Sequence, residues 1–195
     1  MIILASGSES RAAILRNAGL EFQVMPADID EAAVKSEAAA SGAEPGTVAQ
    51  TLARLKAQRV GARHPAAVVI GADQMLAVGD YWLDKPGSRD EAADHLRRLS
   101  GQGHRLHTAV CCVRGHQVIW QHLAVPTLTM RALSDRFIAD YVAAEGDACL
   151  SSVGAYRLEG RGIQLFERID GDFFTILGLP ILPLLGFLRQ HGALD

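Results

Sequence analysis

The stretch Ala66-Ala67-Val68-Val69-Ile70-Gly71-Ala72-Asp73-Gln74 decides the architecture of this chain, because it joins an apolar run to a small, polar tetrapeptide. Apolar residues without alternation are typical of a strand that is covered on both faces of a sheet. Asp73 follows that run, so we expect its carboxylate at the carboxyl edge of the sheet, where α/β proteins bind ligands. Gly71 and Ala72 would let a ligand approach the backbone there. The stretch therefore predicts a ligand site at Asp73, although a capping or turn aspartate would show the same pattern.

A hairpin is predicted directly after this tetrapeptide. Met75 to Val78 and Tyr81 to Asp84 have strand patterns, and Gly79-Asp80 between them suits a two-residue turn. Such a hairpin would fold Lys85 back towards the Asp73 end of the sheet. An ammonium there could neutralise phosphate charge or orient an attacking water, and a solvated lysine at a strand end is the alternative.

A second junction between a strand and a helix opens the chain. Met1 to Ala5 is predicted to be a buried strand, and Ser6 or Ser8 can cap the following helix, which has Arg11 near its start. Free N–H groups at a helix start, hydroxyls and a guanidinium suit a phosphate group. Capping alone would also explain the serines, and the two roles are compatible.

Two further charged residues, Glu31 and Lys56, read as structural or solvated when each is taken alone. Glu31 follows Asp28 and Asp30 at a predicted helix start. Lys56 lies at the border of the apolar stripe of a helix predicted over residues 47–61.

Composition limits the class of protein. The chain has 195 residues, of which 49% are hydrophobic and 21% charged, and its net charge is −3. A net negative charge argues against a broad electrostatic surface for nucleic acid. No apolar stretch reaches the roughly 20 residues that span a bilayer, and the N-terminus does not resemble a signal peptide. We therefore predict a cytoplasmic protein that binds neither membrane nor nucleic acid.

The order of elements indicates an α/β fold. Strands and helices mix without strict βαβ alternation, which favours a central mixed twisted sheet flanked by helices, arranged as two lobes with a cleft. No linker composition separates independent parts, so residues 1–195 are predicted to form a single domain. Motifs for serine hydrolases, P-loop proteins and Rossmann dinucleotide binding are absent from the sequence.

Taken together and in order, the motifs resemble those of the Maf family of nucleoside triphosphate pyrophosphatases over nearly the whole chain. The motifs are ASxS with Arg11, DE at Asp30-Glu31, Lys56, GADQ at 71–74, KP at Lys85-Pro86, LSG at 99–101, VGAY at 153–156 and LGLP at 177–180. The resemblance implies hydrolysis of a nucleoside triphosphate between the α- and β-phosphates, with Mg²⁺ or Mn²⁺ as the cofactor. It also suggests a homodimer.

The resemblance also implies roles for individual residues. Asp73 corresponds to the proton acceptor and, together with Glu31, to a metal-associated carboxylate. Lys85 is assigned to catalysis with Asp73. The residues that the resemblance places on the phosphates are Ser8, Arg11, Lys56 and Lys85.

Three positions differ between family members that favour dTTP and UTP and members that favour 7-methyl-GTP. Here Gln74 and Glu159 look like the 7-methyl-GTP group, and a carboxylate suits the N1–H and N2–H₂ donors of guanine. Ser10 departs from that group, which has a tryptophan able to stack on a cationic base. Ala12 also stands where the family's second loop arginine is usual. We therefore predict 7-methyl-GTP or another non-standard nucleotide as the substrate.

Two other classes of function stay open at this point. The chain could be a nucleotide-binding regulator of cell division with little or no turnover, since the Maf family is also associated with septum formation. It could also be a structural domain without a ligand, which would make the whole set of polar residues at predicted strand ends a coincidence.

Overall fold

The computed structural model describes residues 1–194 as a mixed α/β fold with one sheet of eight strands, some parallel and others antiparallel. The strands are β1 (Ile2–Leu4), β2 (Gln23–Val24), β3 (Val68–Val78), β4 (Tyr81–Leu83), β5 (Gly103–Arg114), β6 (Gln117–Ala124), β7 (Thr127–Met130) and β8 (Phe166–Asp170). The helices are α1 (Glu9–Asn17), α2 (Glu31–Ala40), α3 (Pro45–Gly61), α4 (Arg89–Leu99), α5 (Asp135–Glu145), α6 (Phe173–Ile176) and α7 (Ile181–Gln190). The predicted central mixed sheet flanked by helices is confirmed. Within the described residues, no helix combines the length and the apolar character that crossing a membrane requires.

The chain divides into two compact units, of which the first comprises residues 1–74, 108–124 and 173 onward. In this unit β1 is parallel to both β2 and β3, and Ile3 pairs with Gln23 on one side and with Val69 on the other. Strand β5 pairs with β6 in an antiparallel hairpin. Side chains from β1, α1, β3 and α7 share one apolar core, which explains why β1 and the first three residues of β3 are wholly apolar.

Strand β3 is longer than the sequence indicated, because it runs without a break from Val68 to Val78. Asp73 therefore lies within a strand, and the prediction that it follows the end of one is wrong. The reason lies at Gly71, where an added Cβ would stand 2.1 Å from the carbonyl oxygen of Ala53 and 2.7 Å from the backbone nitrogen of Ala57. Helix α3 fills the space beside Gly71, so this glycine permits close packing of a helix on the strand and not the approach of a ligand.

We expect Gly71→Ala to lower the free energy of unfolding by roughly 3 kcal/mol, because overpacking against backbone atoms forces the helix and strand apart. Gly186→Ala is the matched control, since a Cβ at Gly186 would meet nothing within 4 Å. That change should stabilise α7 by about 0.5–1 kcal/mol, as alanine favours a helix over glycine. Urea unfolding of the two variants checks the opposite signs, and equal effects would contradict this account of Gly71.

The second unit comprises Met75–His107 and Val125–Asp172. The predicted hairpin is present, with Leu76 of β3 paired to Leu83 of β4. Strand β7 pairs antiparallel with both β5 and β8. Helix α4 is capped by Ser88, whose hydroxyl accepts the N–H of Glu91, while the Glu91 carboxylate accepts the N–H of Gly87. Three-residue spacing of serine and glutamate is a local signal, which is why the sequence suffices to find this helix start.

The VGAY segment contributes a buried polar pair to this unit. Nε2 of His104 and the hydroxyl of Tyr156 are hydrogen-bonded at 2.9 Å, and the ring of Phe166 packs against both. Gly154 has φ of +74°, and an added Cβ there would lie 2.6 Å from Leu76 Cδ1. The segment therefore has a packing role here. Burial lowers the pKa of His104 to about 4.

The low pKa of His104 makes the stability of the protein depend on pH. The unfolded chain binds a proton at this histidine below about pH 6.5, whereas the folded chain does so only below about 4. The contribution of His104 to stability is therefore complete above pH 6.5 and is lost as the pH falls towards 4. Between pH 7 and 4.5 we expect wild type to lose roughly 2 kcal/mol more than His104→Gln, measured by urea unfolding. The same substitution at the exposed His116 should leave the pH dependence as in wild type, and a matching change there would refute the assignment to His104.

Candidate active site

Lys56 joins two carboxylates in the first unit. Its Nζ donates to Oδ1 of Asp73 at 2.7 Å and to Oε1 of Glu31 at 2.9 Å. Lys56 lies on the buried face of α3, four residues after Leu52 and three after Ala53, and only 6% of the residue is exposed. The structure thus brings together three residues that the sequence proposed separately, and Lys56 is not the solvated lysine that it resembled in isolation.

Asp73 has one carboxylate oxygen without a protein partner. The residue is 4% exposed, and among the described residues its Oδ2 has no hydrogen-bond donor. Buried carboxylate oxygens normally have a hydrogen-bond donor, because burial removes the water molecules that would otherwise bind them. Oδ2 is therefore the atom of this site that can bind a cation or accept a proton.

Glu31 provides the solvent-facing side of the same cluster. Asp30 caps α2, with its Oδ1 accepting the N–H of Ala33 at 2.9 Å, so Glu31 is the first residue of the helix. Its side chain is 43% exposed although it pairs with the buried Lys56. A ligand can reach this carboxylate from solvent.

The carboxylates of Asp73 and Glu31 are suited to a divalent cation that would also be coordinated by a substrate. Protein sites for Mg²⁺ usually offer one or two carboxylates and leave the remaining positions to waters and phosphate oxygens. The unpartnered Oδ2 of Asp73 and the accessible carboxylate of Glu31 match that pattern. No cluster of three or more His, Cys, Asp or Glu side chains able to hold a metal occurs in residues 1–194. A cation at Asp73 would therefore take its other ligands from the substrate and from water.

Arg11 is fixed at the start of α1 by contacts from three parts of the first unit. Its Nε donates to the carbonyl oxygen of Gly178 at 2.9 Å, and its Nη1 donates to Ser6 Oγ at 3.1 Å and to the carbonyl oxygen of Ala72 at 3.0 Å. Ser8 caps the helix, because its hydroxyl accepts the backbone N–H of Arg11. These bonds use Nε and Nη1, which leaves Nη2 as the nitrogen suited to a phosphate oxygen.

The electrostatic surroundings of Arg11 connect it to the lysine cluster. Burial lowers the pKa of Arg11, whereas the negative charges of Asp73 and Glu31 act in the opposite direction. With Lys56, the group contains two cations and two carboxylates. The formal charges of these four side chains therefore cancel.

Gln74 is held by its amide nitrogen. Nε2 donates to Oγ1 of Thr108 at 2.8 Å and approaches the carbonyl oxygens of Thr175 at 3.1 Å and Ile176 at 3.2 Å. These contacts fix the orientation of the amide, with Nε2 as the donor and Oε1 as the remaining acceptor. Sequence reasoning missed Thr108, although a single hydroxyl residue before the apolar run 109–113 was a usable signal.

The other predicted site residues are Ser10, Lys85 and Glu159. Ser10 is exposed on α1, in the first unit. Lys85 follows β4 and Glu159 lies in a loop, both in the second unit, and Glu159 Oε1 accepts from Arg157 Nε at 3.3 Å. Their roles on the substrate stay predictions.

Known proteins match this chain over almost its whole length. The family described as Maf-like protein matches residues 1–191. A protein of Rhizobium etli named 7-methyl-GTP pyrophosphatase is 52% identical over 194 residues, which cover 100% of this chain and 98% of that protein. A protein of Rhizobium meliloti with the same name is 51% identical over 195 residues, with coverage of 100% and 98%. A protein of Granulibacter bethesdensis named nucleoside triphosphate pyrophosphatase is 49% identical over 193 residues, with coverage of 99% and 98%.

Proposed function

This chain belongs to the Maf family, and on that premise we propose that it is a nucleoside triphosphate pyrophosphatase, a hydrolase that cleaves between the α- and β-phosphates. Relatives about half identical to it over their full lengths carry pyrophosphatase names. The observation that carries the proposal is the arrangement at Lys56. Its ammonium lies between Asp73 and Glu31, and Oδ2 of Asp73 is left without a partner.

Asp73 acts as the proton acceptor in this proposal. Lys56 holds Oδ1, so the carboxylate keeps one orientation while Oδ2 accepts a proton from the attacking water. An ammonium has three N–H donors. Two are used by Asp73 and Glu31, and the third can bind a phosphate oxygen.

Charge and position supply most of the remaining catalysis. Nη2 of Arg11 and the hydroxyl of Ser8 bind phosphate oxygens at the start of α1, and Lys85 contacts the phosphates as well, as the family resemblance implies. Asp73 and Glu31 would hold a divalent cation, Mg²⁺ or Mn²⁺. When bound, the cation neutralises charge on the leaving pyrophosphate.

The proposed substrate is 7-methyl-GTP or another non-standard nucleotide. Relatives named for 7-methyl-GTP support this choice, as do Gln74 and Glu159. Oε1 of Gln74 and the carboxylate of Glu159 are acceptors, and guanine offers N1–H and N2–H₂ donors. Ser10 gives no ring for stacking, so selectivity would rest on these polar contacts and on charge.

A regulator that binds nucleotides without turnover is not favoured, because the relatives described above are named as pyrophosphatases. A cytoplasmic location and a homodimer complete the proposal, without nucleic-acid or membrane partners.

A panel of nucleotides tests the proposed function. The purified protein is incubated with Mg²⁺ or Mn²⁺ and 7-methyl-GTP, GTP, dTTP, UTP or CTP, and pyrophosphate release is measured. We expect the highest kcat/KM for 7-methyl-GTP. Turnover of all five nucleotides at similar kcat/KM would show that the protein has a broad substrate range and is not selective for 7-methyl-GTP. Tight binding without release of pyrophosphate would restore the regulator.

A further inference from the structure

Arg157 lies between two carboxylates in the second unit. Its Nη1 contacts Oε2 of Glu145 at 3.5 Å and its Nε donates to Oε1 of Glu159 at 3.3 Å. The two acids differ in exposure, because the side chain of Glu145 is 7% exposed and that of Glu159 is 33% exposed. One guanidinium thus joins a nearly buried carboxylate at the end of α5 to an accessible one.

The loop that carries Glu159 has a fixed shape. The N–H of Gly160 donates to the carbonyl oxygen of Arg157, which closes a turn around Glu159. The N–H of Arg157 donates to the hydroxyl of Tyr141 on α5. An added Cβ at Gly162 would lie 2.3 Å from the carbonyl oxygen of Arg157, so the chain returns directly against the turn. Glu159 is therefore attached to α5 through both the backbone and the side chain of Arg157.

The cluster also has an uneven charge. Two carboxylates share one guanidinium, which leaves a net charge of one negative unit on the three side chains. A buried carboxylate needs its cation more than an accessible one, because water screens the accessible group. Arg157 contacts both acids at similar distances, 3.5 Å to Glu145 and 3.3 Å to Glu159, so its charge is divided between them and Glu159 is only partly neutralised. The negative charge of Glu159 strengthens the binding of a positively charged base, whereas it has little effect on the binding of a neutral base.

We propose that Arg157 is a positioning residue that holds Glu159 for base recognition, and that the nearly buried Glu145 increases the preference for a cationic base by occupying part of the guanidinium. The inference rests on the proposed function, since it assigns Glu159 to the base of the substrate. It adds that the preference for N7-methylated guanine depends on the nearly buried carboxylate of Glu145, in addition to that of Glu159.

Glu145→Gln provides the test, because glutamine keeps the size of the side chain and an acceptor for Arg157 while removing one negative charge. The kcat/KM values for 7-methyl-GTP and GTP are measured with wild type and variant. We expect the ratio of the two values to fall roughly threefold to tenfold, with kcat/KM for GTP changed less than about twofold. Glu167→Gln removes the same charge from an exposed position of β8 and should leave the ratio unchanged.

Arg157→Lys separates position from charge. Lysine keeps the positive charge but cannot reach both acids with a planar fork. We expect KM to rise for both nucleotides, with the ratio kept. Rising salt should lower the wild-type ratio, because screening weakens a preference that depends on charge.

The inference is overturned if Glu145→Gln lowers kcat/KM for both nucleotides equally, leaves the ratio unchanged, or matches Glu167→Gln. A Glu145→Gln protein that does not fold leaves the decision to Arg157→Lys and to the salt dependence, and an unchanged KM or a salt-independent ratio then refutes it. Wild type that releases no pyrophosphate from any nucleotide contradicts the proposed function instead, so the two failures are distinguishable.

Discussion

Asp73→Asn should lower pyrophosphate release by about 10³-fold, the range expected when a positioned general base is lost. Asparagine has nearly the same shape, but its amide neither accepts a proton from water nor binds a divalent cation as a carboxylate does. Lys56 keeps Glu31 as a partner at 2.9 Å, so the ammonium is not left alone. We therefore expect the variant to fold and to bind nucleotide, with the loss confined to kcat.

Asp80→Asn is the matched control for this measurement. Asp80 lies exposed in the turn between β3 and β4, and the same change of charge there should leave kcat within about twofold of wild type, as is usual for exposed positions. A fully active Asp73→Asn enzyme would remove Asp73 from the mechanism, whatever its stability.

Lys56→Met should affect both stability and activity. Methionine fills a similar volume without the charge, so Asp73 would stay buried without its close cation. Removal of one partner of a buried ion pair costs about 3–5 kcal/mol. Activity should fall by at least about 10²-fold, because the ammonium no longer orients Oδ1 or reaches phosphate.

The double variant Lys56→Met/Asp73→Asn distinguishes a charge effect from a packing effect, because only the charge effect predicts that the second substitution restores stability. Neutralising Asp73 in the Lys56→Met background should restore stability, since the unpaired buried charge is gone. The same Asp73→Asn change in wild type removes a paired charge and cannot stabilise by that route. Urea unfolding of the four proteins measures the coupling, and additive effects would show that Lys56 and Asp73 do not depend on each other.

The sequence was most informative where a local rule applied. The capping serines of α1 and α4, the hairpin between β3 and β4, and the parallel strands with continuous apolar runs all follow from short-range signals. Ordered motifs also indicated the family over the full chain.

Contacts between residues far apart in the chain could not be predicted from the sequence. Nothing local to Lys56 shows that it is buried against Asp73, because that contact depends on how closely α3 approaches β3 at Gly71. The same applies to Arg157, whose partner Glu145 is twelve residues away on α5. Asp73 was placed wrongly at a strand end because glycine and alanine read as a break, whereas tertiary packing carries the strand through them.

Product analysis of 7-methyl-GTP turnover by ³¹P NMR tests the central claim most directly. Hydrolysis between the α- and β-phosphates gives 7-methyl-GMP and pyrophosphate in equal amounts, and this is the result that the proposed pyrophosphatase activity predicts. Formation of 7-methyl-GDP and orthophosphate would show cleavage at the terminal phosphate and would contradict the account.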